Sequence, residues 1–154
     1  MLIPAIAKKK EIEELFARNL YNDNMFLYVG CGHCNYIPDL KPEDGVYDWA
    51  IVDKTDNVVG YFSYRIVTYT ESVQHFRLIS FASNPIIGID VYRKMKELVS
   101  TYHRIEWCMV GGNPVEAHYD KFCARYGGRK LKLQDATKDS QGMFRDMYIY
   151  EIIK

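Results

Sequence analysis

The chain has 154 residues and a mass of 18.0 kDa, enough for one domain and too little for a second independent core. Hydrophobic residues make up 48% of it, with 13 tyrosines, 7 phenylalanines and 2 tryptophans, which excludes general disorder and predicts one packed domain over residues 1–154. The 20 basic and 20 acidic residues balance to a formal charge of zero, so no whole-molecule field draws nucleic acid or an anionic membrane surface.

Residues 1–6 read as a short strand, and their apolar run comes before Lys8-Lys9-Lys10, the reverse of the order in a signal peptide. No apolar run approaches the roughly 20 residues that a membrane-crossing helix needs. A cytoplasmic protein with reduced thiols at Cys31, Cys34, Cys108 and Cys123 is therefore expected. Residues 9–21 read as a helix in which Ile12, Leu15, Phe16 and Leu20 share a face, with Glu11, Glu13 and Glu14 in the half where the helix dipole favours acids. An apolar run at 26–29 leads into a long loop, 30–45, that holds the tetrad Cys31-Gly32-His33-Cys34. Strands are expected at 47–53, 58–69 and 73–82. Thr55-Asp56-Asn57 is a break of hairpin length between the first two, so the three form an antiparallel meander.

The period changes after Asn84-Pro85. Over 86–102, Ile89, Tyr92, Met95, Leu98 and Val99 form a helical stripe, with Arg93, Lys94, Lys96 and Glu97 on the other side. A strand at 105–110 is broken by Gly111-Gly112. Asn113-Pro114 then predicts a helix start, with Asn as N-cap and Pro in the first helical position. Val115, Tyr119, Phe122 and Tyr126 line one face of this helix, and Gly127-Gly128 stops it. Strands at 130–133 and 143–153, separated by a polar stretch at 135–142, complete the order β-α-β-β-β-α-β-α-β-β. This is an α/β chain with a mixed, mostly antiparallel sheet, to which the crossovers in its second half add a parallel pairing.

From about Ile51 onward, with the first helix also in place, this succession resembles the GNAT superfamily of N-acetyltransferases. The most specific stretch is Gly112-Asn113-Pro114-Val115-Glu116-Ala117-His118-Tyr119 running to Tyr126-Gly127-Gly128. It is similar to the family's motif of an Asn after the fifth strand, an Ala and a Tyr on the helix, and a closing Gly pair. The resemblance implies a twisted sheet flanked by helices and transfer of an acetyl group from acetyl-coenzyme A to an amine on a small molecule or peptide. No metal, nucleic acid or membrane partner is implied. Asn113 would hold the pantetheine arm, and backbone groups at Phe81 and Ser83 would pair with it. Tyr119 would protonate the departing thiolate; counting forward from Asn113 selects it, whereas counting back from Gly127 lands near Cys123.

Gly88, Ile89 and Asp90 stand where the family's glycine-rich turn meets the pyrophosphate. Gly88 matches the first glycine, but Asp90 takes the place of the second. A carboxylate there repels the approaching phosphates by about 1 to 4 kcal/mol if nothing offsets it. That departure motivates an alternative, a GNAT-fold binding or regulatory module without transfer activity.

Each signal also has a structural explanation. Tyr119 lies on the apolar stripe of its helix, Asn113 is a good cap without any ligand, and Gly88 suits a turn or a close contact. The Cys31-Gly32-His33-Cys34 tetrad has the letters of protein disulfide isomerases, yet Pro38 interrupts the helix that would lower the first thiol's pKa. Zinc binding by Cys31, His33 and Cys34 with Cys108 or Cys123 lacks a second closely spaced ligand pair. Neither role is assigned. His75 and Glu71 are placed to accept a proton from an amine, but no general base is assigned. The aromatic content permits a homodimer interface without requiring one.

Overall fold

The structure, a computed structural model, describes residues 1–19, 37–82, 86–139 and 141–154. Its central strand in the first half is β3 (Val58–Val67), in which Val58 through Tyr64 are all buried, as expected of a strand covered on both faces. On one side β3 pairs with β2 (Val46–Val52), which in turn pairs with β1 (Leu2–Pro4). On the other side it pairs with β4 (Ser72–Ser80), and all these pairings are antiparallel. Beyond β4 lie β5 (Arg104–Val110), β7 (Phe144–Ile153) and, at the edge, β6 (Arg129–Lys138), giving a seven-stranded sheet in the order β1-β2-β3-β4-β5-β7-β6. Among the described residues only β4 and β5 run parallel. The expected mixed, mostly antiparallel sheet is observed.

Helices cover the two faces unequally. A 3-10 turn (Ala5–Lys8) and α1 (Lys9–Asn19) lie on one face, where Ala5, Ile12 and Phe16 pack with Ala50, Val52, Tyr61 and Ile79. The other face carries α2 (Ile86–Thr101) and α3 (Glu116–Arg125), which touch each other through the rings of Tyr92 and Phe122 at 5.5 Å. The expected buried positions of α1 are met by Ile12 and Phe16, with Leu15 at the margin. Leu20, the run at 26–29 and the tetrad Cys31-Gly32-His33-Cys34 lie outside the described residues.

Four sequence expectations are corrected. The buried stripe of α2 is Ile87, Val91, Met95, Leu98 and Val99; Ile89 is 53% exposed and Tyr92 39%. Ile87, Val91 and Met95 follow an unbroken four-residue step, and Ile89 sits about 200° around the helix from Ile87. Helix α3 begins at Glu116, so Pro114 is not its first residue; Asn113 instead closes the preceding turn, its Oδ1 accepting the Val115 N–H at 3.1 Å. Strand β1 ends at Pro4, because the chain turns into the 3-10 segment. Strand β6 continues through the polar residues to Lys138 by way of a bulge at Asp135, which has a φ of 51°.

Helix α3 ends as its sequence predicts. Gly127 is left-handed with a φ of 67°, and its N–H donates to Ala124 O while that of Gly128 donates to Cys123 O at 2.9 Å, the two bonds of a Schellman stop. Gly128 is required by space: a Cβ there would lie 2.6 Å from the backbone oxygen of Glu151 and 2.6 Å from Cys123 Sγ. Replacing it with alanine forces α3 away from β7, with an expected loss of about 1–3 kcal/mol. Urea unfolding of Gly128→Ala checks this, and an unchanged midpoint contradicts it.

Candidate active site

The parallel pair β4/β5 is held at only two positions, Ser72↔Arg104 and Val73↔Ile105. The cause lies in the next residues of β4. Between Gln74 and Arg77 this strand carries one residue more than the stretch of β3 opposite it, from Arg65 to Ser63, and His75 takes a left-handed φ of 56°. Such a bulge bends and overtwists its strand, and here it carries β4 away from β5. Two backbone edges that would otherwise bond each other therefore face across a V-shaped opening. Each leads into a helix, β4 into α2 and β5 into α3, so the wide end of the V lies at the carboxyl ends of parallel strands, beside two helix N-termini.

The two helix starts differ in what they offer an anion. At α3 the donors are already used, since Gly112 N–H bonds Glu116 Oε2 at 3.2 Å and Val115 N–H bonds Asn113. At α2 the first turn contains no acidic residue, Ile89 is exposed, and a Cβ on Gly88 would have nothing within 4 Å. Gly88 is thus required by neither packing nor backbone conformation. The carboxylate of Asp90 is held by the N-terminal ammonium of Met1 at 2.9 Å and by Arg93 Nη1 at 3.4 Å. These cations offset the repulsion expected from the sequence; Lys94 takes no part, being bonded to Glu97 at 2.7 Å. The Phe81 N–H donates to Val59 O at 2.9 Å and its ring packs on Phe16, so that amide is not offered to a ligand. Ser83 lies outside the described residues.

Tyr119, on the first turns of α3, places its ring edge-on to Trp107 of β5 at 5.8 Å and to Tyr150 of β7 at 5.9 Å. Burial pushes its phenol up to about 12, with a contribution from Cys108. The phenol is therefore a neutral proton carrier throughout the physiological range. A second polar group, which sequence reasoning missed, anchors this corner. Lys130 bonds Glu116 and Asp120, both at 2.8 Å, and Asp120 accepts the Tyr150 hydroxyl at 2.6 Å. Burial opposes the charge on Lys130, but these carboxylates hold its ammonium above its ordinary value. Its members are spread over α3, β6 and β7, so no spacing in the sequence signals it. The shallow pocket beside it, about 180 Å³ and lined by Asp120, Cys123 and Lys130 among others, is small for a ligand site.

No family model matches the sequence, and none of the curated proteins does. Solved structures do. The ribosomal-protein-alanine N-acetyltransferase of Brucella melitensis superposes with a TM-score of 0.67 at 18% identity, over 100% of this chain and 99% of that one. A probable GNAT-family acetyltransferase from Chromobacterium violaceum gives 0.62 at 17% identity, over 99% and 85%. The chain has the GNAT fold. The spermidine N-acetyltransferase of Vibrio cholerae, solved with CoA and spermine, matches with a TM-score of 0.70 at 14% identity, over 99% of this chain and 94% of that one.

Within this GNAT fold the other sequence candidates fall as follows. His75 is exposed on the bulge, whereas Glu71 sits at the closed end of the V, its carbonyl accepting the Arg104 N–H at 3.2 Å. Cys108 and Cys123 form no disulfide among the described residues; burial pushes the thiol of Cys123 up, the opposite of activation. Among the described residues no group of three His, Cys, Asp or Glu side chains could hold a metal ion, and no helix is long and apolar enough to cross a membrane. The open space at Gly88 separates stability from ligand contact. Gly88→Ala is expected to raise the melting temperature by about 2–4 °C, as alanine does in a helix, while weakening any phosphate ligand seated on the α2 amides. Thermal melts with and without coenzyme A measure both effects, and a gain in stability with no loss of affinity removes Gly88 from the site.

Proposed function

We propose that this protein is an N-acetyltransferase that moves an acetyl group from acetyl-coenzyme A to a primary amine. The observation that carries the reading is the opening between β4 and β5, with the α2 start on one side and Tyr119 on the other. The cosubstrate's pyrophosphate would meet the amides at Gly88 and Ile89, and its arm would pass Asn113. The carboxamide of Asn113 is fixed by its bond to the Val115 N–H. The amine nitrogen attacks the thioester carbonyl carbon, a C–N bond forms and the C–S bond breaks. Tyr119 gives its proton to the departing sulfur and regains one from the ammonium-like nitrogen through solvent.

A phenol near 12 is a weak acid for a thiolate whose ordinary pKa is close to 8.5. The mismatch is smaller than these values suggest, because an anionic sulfur leaving into the same apolar corner is itself destabilised and gains basicity. The alternative of an inactive module rests on Asp90, whose ion pairs with Met1 and Arg93 offset part of its repulsion of phosphate. The acceptor is read as a small-molecule or peptide amine. The names of the two acetyltransferases above, one for a ribosomal-protein alanine and one for spermidine, span both kinds. The balanced charge favours such a partner over nucleic acid and fits a cytoplasmic enzyme, with a homodimer still compatible.

Calorimetric titration with acetyl-coenzyme A, followed by thiol release with a panel of amines, tests the reading; no heat and no thermal shift at millimolar ligand overturns it. Tyr119→Phe is expected to lower kcat about 100-fold with little change in melting temperature. An unaltered kcat removes the acid role. The raised pKa also sets the alkaline behaviour. The folded state keeps its proton longer than the unfolded chain, so the contribution of Tyr119 to stability is complete below pH 10 and is lost as pH rises toward 12. The rate limb due to this group should appear near 12 and not near 10.

A further inference from the structure

Trp107 is 4% exposed, and its indole N–H has no hydrogen-bond partner among the described residues. A buried donor left unpaired costs on the order of 1–3 kcal/mol, and native structures seldom leave one without a reason. The residues around the ring do not supply an acceptor. Phe76 and Phe122 have none, at 6.4 and 6.0 Å between ring centroids. Tyr150 stacks flat on the indole at 5.1 Å, but its hydroxyl is turned to Asp120. Tyr119 presents its ring at 73° to the indole.

The place of this orphan donor in the fold is informative. Trp107 lies two residues past Ile105, the last β5 residue paired with β4, and so stands where the V has just opened. Its ring meets Phe76, the residue after His75 of the bulge, and thereby reaches across the opening to β4. On the other side it contacts Tyr119. The indole thus bridges the narrow end of the opening, between the bulged strand and the phenol that the proposed chemistry places at sulfur. A thioester carbonyl oxygen is separated from its sulfur by a single carbon, so an acceptor bound next to Tyr119 lies within reach of the same corner.

We infer that the indole N–H of Trp107 donates a hydrogen bond to the thioester carbonyl of the bound acyl-coenzyme A, so that the protein distinguishes the acylated cosubstrate from free coenzyme A. This rests on the acetyltransferase reading. The bond orients the carbonyl and strengthens as negative charge develops on its oxygen during attack. It also accounts for the unpaired donor: an acyl oxygen at this position supplies the acceptor that no described residue does. Trp107 is a binding residue for the acyl end, distinct from the proton donor Tyr119.

The test removes the N–H and keeps the shape. Incorporating 3-benzothienylalanine at position 107 replaces N–H with sulfur in a bicycle of nearly the same size, and Trp107→Phe is the genetically simple companion. Both are titrated calorimetrically with coenzyme A and with acetyl-coenzyme A. Fluorescence of a Trp49→Phe background, in which Trp107 is the sole indole, reports contact directly. The expected result is affinity for coenzyme A within twofold of the parent and affinity for acetyl-coenzyme A lower by about fivefold, the effect of one neutral hydrogen bond. Equal weakening for both ligands means that the ring only fills space and overturns the inference, as does no change for either. If the unmodified protein binds neither ligand, the acetyltransferase reading itself fails, an outcome distinct from both.

Discussion

One extra residue in β4 determines the working shape of this molecule. If β4 stayed regular past Val73, its outer edge would bond β5 along its length and the sheet would close. The bulge at His75 ends the pairing after Val73↔Ile105 and leaves two strand edges facing a gap. A gap between unpaired edges is costly inside a protein unless water or a ligand satisfies the exposed N–H and C=O groups. The bend therefore leaves backbone groups of β4 and β5 that do not bond each other. The left-handed backbone at His75 is a small local cost, about 1–2 kcal/mol, met by the covalent continuity and packing of the strands on either side.

Packing around the gap is aromatic on the α2/α3 face. Phe76, Tyr119, Phe122 and Tyr150 each touch Trp107, which joins β4, α3 and β7 through one indole, and the Lys130 network lies beyond Tyr150. The buried charge of Glu151 is handled by pairing. Glu151, 4% exposed, bonds Arg104 at 2.8 Å and also Arg129; leaving either side unpaired would strand a charge in low dielectric. These contacts anchor β7 between β5 and β6 and so fix the floor against which Tyr119 is set. At the α2 start, Asp90 is ion-paired with the ammonium of Met1, just before β1, and with Arg93 of its own helix.

Much of the fold was legible because it rests on local signals. Gly127-Gly128 stops α3 through backbone freedom and a close approach, both readable from residue type. The meander was legible from three successive strand-like runs with a break of hairpin length, Thr55-Asp56-Asn57, between the first two, and the crossover order implied a parallel pair. What misled was phase. The helical spacing of Ile89 and Tyr92 with Met95 predicts one buried stripe, yet the four-residue step from Ile87 buries the neighbouring face. A stripe of two alternatives on one helix is decided by where the sheet lies, and the sheet is made of distant residues. Asn113 kept its turn-closing chemistry but acts two residues ahead of the helix it was expected to start.

The sequence by itself determined the order and type of the described elements and the stop of α3 at Gly127-Gly128, since each follows from residues within a few positions of one another. Tertiary structure alone decided the rest. The V opens because β3 and β4 count different numbers of residues between the same two pairs, which no single strand reveals. The ion pair of Asp90 with the Met1 ammonium joins the first residue of the chain to α2. Trp107 was one more apolar residue of a strand until the fold placed its only polar atom where no protein group answers it. Hydrogen-bond satisfaction, charge compensation and strand register are properties of pairs far apart in the chain, and they appear only when the chain is folded.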